Sequence, residues 1–102
     1  MSEWRFIVGC GVRYEVSDDG RVRSVRNCRE LRPWVHSTGC AMVDLLADGS
    51  KRRKMRVHRL VAVAFIPNPV GKPEINHING NRADNRVSNL EWATSSENHA
   101  HA

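Results

Sequence analysis

The strongest candidate for chemistry in this chain is a histidine preceded by an amide. Asn76 and His77 are adjacent, Asn89 follows 12 residues after His77, and Asn98 follows 21 residues after it. A neutral imidazole titrates in the range needed to take a proton from water. Amide oxygens are hard donors suited to a divalent cation such as Mg2+ or Mn2+. Together these groups meet the needs of phosphodiester hydrolysis: a deprotonated water, charge offset at the pentavalent phosphorus, and help for the leaving 3′ oxygen. Neighbouring strand residues point to opposite faces, so Asn76 and His77 need not compete for one task. Asn76 can offer an oxygen to the cation while His77 faces the water, and Asn98 offers a second oxygen. Two amide ligands bring no negative charge, so the cation should bind weakly until phosphate oxygens complete its shell. An isolated histidine is more often an ordinary core or surface residue, and these neighbours are what single His77 out.

Such a site needs a hairpin and a helix to close it. Ile75–Ile78 reads as a short strand, Asn79-Gly80-Asn81 as a turn, residues 82–88 as a polar loop, and Leu90–Ala93 as a returning strand. Thr94 or Ser95 can cap a final helix, with Glu97 in its first turn and Asn98 on its body. Upstream, the apolar residues of His58–Ile66 are too dense for a half-exposed strand and suit a short buried helix, ended by Pro67-Asn68-Pro69. The first half reads as strands: Arg13–Ser17, Arg21–Arg26 after the Asp18-Asp19-Gly20 turn, Met42–Leu46 leading to Asp48-Gly49, and the basic run Lys51–Val57. Their sum is one small twisted antiparallel sheet of three to five strands in an α+β chain. Strand contexts favour core packing for Trp4 and Trp92.

Composition narrows the partners. The 102 residues suit one domain or two small modules sharing a core, with a net charge of +5. Residues 1–60 carry 13 Lys and Arg against 7 Asp and Glu, whereas residues 61–102 carry 3 against 4. A basic first half could meet a polyanion or be a solvated face. Cys10, Cys28 and Cys40 form no close pair and no CxxC, so we expect reduced thiols and no structural zinc. No apolar run is long enough to span a membrane and the start is not a signal peptide, so a cytoplasmic location is expected.

Several of these stretches carry a family resemblance. They are Val57-His58-Arg59-Leu60-Val61-Ala62, Ala64-Phe65-Ile66-Pro67-Asn68-Pro69, Ile75-Asn76-His77-Ile78-Asn79-Gly80-Asn81, Asn85-Arg86-Val87-Ser88-Asn89-Leu90-Glu91-Trp92 and Glu97-Asn98. They resemble the HNH homing endonucleases. Glu3-Trp4-Arg5 and Tyr14–Ser24 are similar to the nuclease-associated modular domain that commonly precedes that module in phage and intron-encoded enzymes. The resemblance implies a ββα-metal (His-Me finger) module over about residues 74–102, within a nuclease module spanning 57–102 that includes a connecting helix at 57–66. The DNA-binding β module would then be residues 1–56. It places the general base on His77 and metal ligands on Asn76 and Asn98, and gives Asn89 the structural task of tying the loop to the strand. It further implies double-stranded DNA as substrate, Mg2+ or Mn2+ as cofactor, a monomer or weak homodimer, and a phage or mobile-element origin. Many members carry Asp where Asn76 stands, so charge at the metal is lower here, and a DNA-binding module with a degenerate site is the alternative. Many also continue into a helix-turn-helix module. His101 shares a helical face with Asn98 and is a possible helper, while His99 points elsewhere.

For DNA contact, Arg21, Arg23 and Arg26 lie on one expected strand and Lys51, Arg52, Arg53, Lys54 and Arg56 on or beside another. A two-stranded ribbon fits the major groove, where Arg can pair with guanine, and the 51–54 run is better suited to phosphates. Arg59 could reach the scissile phosphate or form an ion pair. A structural role, capping or packing, is favoured for His58.

Overall fold

The computed structural model describes residues 3–47 and 51–94. Among the described residues, three antiparallel sheets surround one α-helix. The first sheet holds β1 (Trp4–Phe6), β2 (Tyr14–Ser17), β3 (Val22–Ser24) and β4 (Glu30–Leu31) in sequence order. The second holds β5 (Trp34–Val35), β6 (Ala41–Ala47) and β7 (Lys51–Arg56). The single sheet expected for the first half is thus divided in two. The break falls at Arg32-Pro33, between β4 and β5, where proline supplies no N–H to a ladder. The sheets remain joined by the Tyr14 hydroxyl, which accepts a bond from the Leu46 amide at 3.2 Å.

Strand β7 runs directly into α1 (Val57–Phe65), and Val57, Val61 and Ala62 are the helix's buried face. Val57 and Val61 are one turn apart, the spacing a helix needs to bury one stripe. The helix ends before Pro67, with the Ile66 amide bonded to the Ala62 carbonyl. Arg5 caps this end, donating to the Ala64 carbonyl at 2.7 Å and stacking over Phe65, a favourable place for a cation at the negative end of the helix dipole.

Beyond the connector, β8 (Glu74–His77) and β9 (Leu90–Ala93) form a two-stranded hairpin, with Asn76 opposite Glu91 and His77 opposite Leu90. The core is continuous through the chain. Ile7 and Cys10 from the β1–β2 connection, Val16 and Val22 from the first sheet, Val43 and Leu45 from β6, Val57 and Val61 from α1, and Leu90 from β9 belong to one buried cluster. Trp92 fastens hairpin to helix by donating its indole N–H to the Ile66 carbonyl at 2.9 Å. Trp4 departs from its expected core position. It is half-buried, and its ring is covered by the guanidinium groups of Arg21 and Arg23, at 5.1 and 4.0 Å. Cys10 is buried in the core, Cys40 is half-buried and Cys28 exposed. Among the described residues no helix is long and apolar enough to cross a membrane.

Candidate active site

His77 ends β8, and the chain leaves it through a tight turn closed by the Gly80 amide on the His77 carbonyl at 2.8 Å. The polar loop that follows is held in large part by its own side chains. Asn79 Oδ1 accepts from the Asn81 amide, Asn81 Oδ1 accepts from the Ala83 amide, and Asn79 Nδ2 donates to Asp84. These are side-chain-to-backbone turns of the kind asparagine favours. The Arg86 side chain bonds Asp84 and, with the Arg86 amide and charge and Asn79, holds its carboxyl down at about 2 despite some burial.

Asn89 is buried and fully engaged. Its Oδ1 accepts from the Asn79 amide at 3.0 Å, and its Nδ2 donates to Asn79 Oδ1 and to the Asp84 carbonyl. Its own carbonyl accepts from Ile78 at 2.8 Å. It therefore ties the loop to the end of β8.

The His77 ring is half-buried and has two neighbours. Its Nε2 lies 2.9 Å from Asn85 Oδ1, and its edge meets the His58 ring from α1 with centroids 5.2 Å apart. Burial first, then the charges of His77, Arg56 and Arg59, push His58 down to about 4, so it is a neutral imidazole at physiological pH. The wall beside His77 is accordingly polar but uncharged.

Asn76 lies on the opposite face of β8, half-buried, and its Nδ2 donates to Glu91 Oε1 across the hairpin at 2.9 Å. Bonding through nitrogen leaves the Asn76 carbonyl oxygen for a cation, and Glu91 sets a carboxylate next to it. This all-oxygen donor set fits a hard divalent ion. Asn98, with His99, His101 and the expected final helix, lies outside the described residues.

The basic residues sort into two groups. Arg21 is bound to Asp19 and Glu30, and Arg23 to Glu15, so both are committed within the first sheet while sharing the Trp4 face. Arg26 is exposed after β3. Lys51, Arg52, Arg53, Lys54 and Arg56 are all exposed on β7, and none has an ion-pair partner among the described residues. Lys54 approaches the Trp34 ring at 5.8 Å. Arg59 donates to the Pro73 carbonyl and lies 5.7 Å over Trp92, at the opposite end of β8 from His77.

Both parts of the chain have known relatives. Residues 55–100 match the family model described as HNH endonuclease, and residues 3–45 match the NUMOD4 motif. The chain is 33% identical, over 90% of its length, to DNA endonuclease I-HmuI of Bacillus phage SP01, covering 52% of that protein. It is 36% identical, over 86% of its length, to an uncharacterized HNH endonuclease of Acanthamoeba polyphaga mimivirus, covering 26% of it. Over residues 55–100 the chain is similar to the HNH endonucleases. A solved structure described as DNA binding and cleavage by the HNH homing endonuclease I-HmuI matches its fold with a TM-score of 0.86 and 32% identity. That match covers 97% of this chain and 56% of the other. The chain therefore spans about half, or less, of the length of these relatives.

Sequence reasoning about this chain passes over Asn85 and Glu91 and gives His58 no place beside His77. Asn85 stands in an Asp-Asn-Arg run that reads as one more polar loop. Glu91 is hidden by its role in the strand alternation, although its pairing with position 76 follows once the hairpin register is known. The proximity of His58 to His77 depends on how α1 lies against the hairpin, which no local pattern contains.

Proposed function

We propose that this chain hydrolyses phosphodiester bonds in double-stranded DNA, with a divalent cation, Mg2+ or Mn2+, as cofactor. The observation that carries this reading is the pairing on one strand end of a half-buried imidazole held by a polar partner and a half-buried amide set against a carboxylate. His77 takes the proton of the attacking water. Asn76 and Asn98 hold the cation, which when bound offsets negative charge at the phosphate and leaving oxygen. Asn89 keeps the loop closed on the strand. The exposed β7 cations grip phosphates, and one site of this kind cuts one strand, so a monomer nicks.

A second reading has support in one feature. Position 76 is an amide rather than a carboxylate, which favours a DNA-binding module with weak or absent cleavage. Supercoiled plasmid incubated with a Mg2+ or Mn2+ titration separates the two. Conversion to open circle, abolished in His77→Ala, is the expected result, since a general base contributes roughly 10²–10⁴ in rate. Unchanged plasmid accompanied by a salt-sensitive gel shift would favour the binding module. His77→Ala should keep its DNA affinity, and equal loss of binding would point to misfolding.

A further inference from the structure

The β2–β3 turn of the first sheet reaches the loop that follows His77. Ser17 is buried at its start, and its hydroxyl bonds to Asp19 and accepts the Arg21 amide at 2.9 Å. The Ser17 and Arg21 backbones close the turn at 2.8 Å, with the Gly20 amide on the Ser17 carbonyl. Two contacts then cross to the nuclease loop. The Asp18 carbonyl accepts the Val87 amide at 2.8 Å. Gly20 lies flat against Asn85: a Cβ added at position 20 would sit 2.9 Å from Asn85 Cβ and 3.2 Å from the Asn85 carbonyl oxygen. With φ at +87°, Gly20 is also in a conformation that side chains disfavour. The turn thus presses on both sides of residues 85–87, and Asn85 is buried beneath it.

Asn85 in turn faces the His77 ring, its amide oxygen 2.9 Å from Nε2. A neutral imidazole carries one N–H, and a carbonyl acceptor at one nitrogen draws the proton there. The other nitrogen is then left with its lone pair. We propose that Asn85, clamped by the Asp18–Gly20 turn, is the positioning residue that holds His77 with its proton on Nε2 and presents Nδ1 as the proton acceptor. This deepens the nuclease reading and rests on His77 being the base. It also makes the N-terminal sheet part of the catalytic scaffold rather than a separate DNA clamp. Asn85 touches neither water nor phosphate in this role; it acts through the ring.

The test is long-range ¹H–¹⁵N NMR of the full chain, with His77 signals assigned by their disappearance in His77→Ala. The expected wild-type spectrum has one ring form, protonated at Nε2, with that proton protected from solvent exchange. Asn85→Leu, which keeps bulk but removes the acceptor, should lose the protected proton and let both tautomers appear. Asn85→Asp, which keeps an acceptor, should restore the single form. Gly20→Ala should weaken the same signal although it touches no atom of the ring. Plasmid nicking should fall about 10- to 100-fold in Asn85→Leu and recover in part in Asn85→Asp, the scale of a misplaced catalytic group. A wild-type ring protonated at Nδ1, or an Asn85→Leu spectrum unchanged at His77, would overturn the proposal. The spectra report the ring whatever His77 does, and cleavage by His77→Ala is scored separately, so the two readings fail independently.

Discussion

His58 should make this protein lose stability in mild acid, and replacing it should remove much of that loss. The imidazole is packed between α1 and the His77 ring, and burial, His77, Arg56 and Arg59 hold it at about 4. In the unfolded chain the same group titrates near 6.5. Between these values the unfolded state binds a proton that the folded state refuses, so stability rises with pH. The contribution is complete above about pH 6.5 and declines as pH falls towards 4. At about pH 5 the unfolded chain is almost fully protonated at this position and the folded chain about a tenth so, a linkage of ~2 kcal/mol. Because the ring keeps some solvent contact, we expect about 1–2 kcal/mol. Urea unfolding of the wild type and of His58→Gln, at about pH 7.5 and about pH 5, reads this quantity together with its coupling to the His77 charge, since groups remote from His58 contribute to both proteins alike. The wild type should lose about 1–2 kcal/mol more than the variant on acidification. An equal loss in both would refute the argument that His58 is held neutral by its surroundings.

Three further outcomes follow from the same geometry. Asn76→Asp should tighten cation binding by adding a charge where an amide now stands, and an unchanged Mn2+ titration by calorimetry would remove Asn76 from the ligand set. Replacing Lys51, Arg52 and Arg53 together by alanine should weaken DNA binding and flatten the dependence of log K on log salt by about one for each phosphate no longer neutralised, whereas an unaltered slope would show that β7 does not meet phosphates. Trp92→Phe should cost about 1–2 kcal/mol in thermal or urea unfolding through loss of the bond to the Ile66 carbonyl, and a smaller change would mean that this bond does not fasten the hairpin to α1.

Much of the site is legible from local chemistry, because the features that carry it are short in range. The Asn79-Gly80 turn, the alternation of Leu90–Ala93, the apolar density of 57–66 and the proline that stops it each depend on a few neighbouring residues. Periodicity and turn preference therefore locate β8, β9 and α1 to within about a residue. The division of the first half into two sheets is less legible, since strands as short as Glu30–Leu31 and Trp34–Val35 leave no periodic trace. Trp4 escapes sequence reasoning for a related cause. Alternation assigns a face but does not reveal that two arginines will cover it.

The candidate pair at 76–77 and the basic character of β7 can be read from the sequence itself, because residue type and close spacing suffice to express them, whereas the tie made by Asn89 is what the family resemblance implies. What tertiary structure alone decided is the company His77 keeps. Asn85 at its Nε2, His58 at its edge, and Gly20 behind Asn85 come from three separate parts of the chain. Their meeting depends on a core shared by both halves of the protein, and packing of that kind is a property of the whole fold that no single segment encodes.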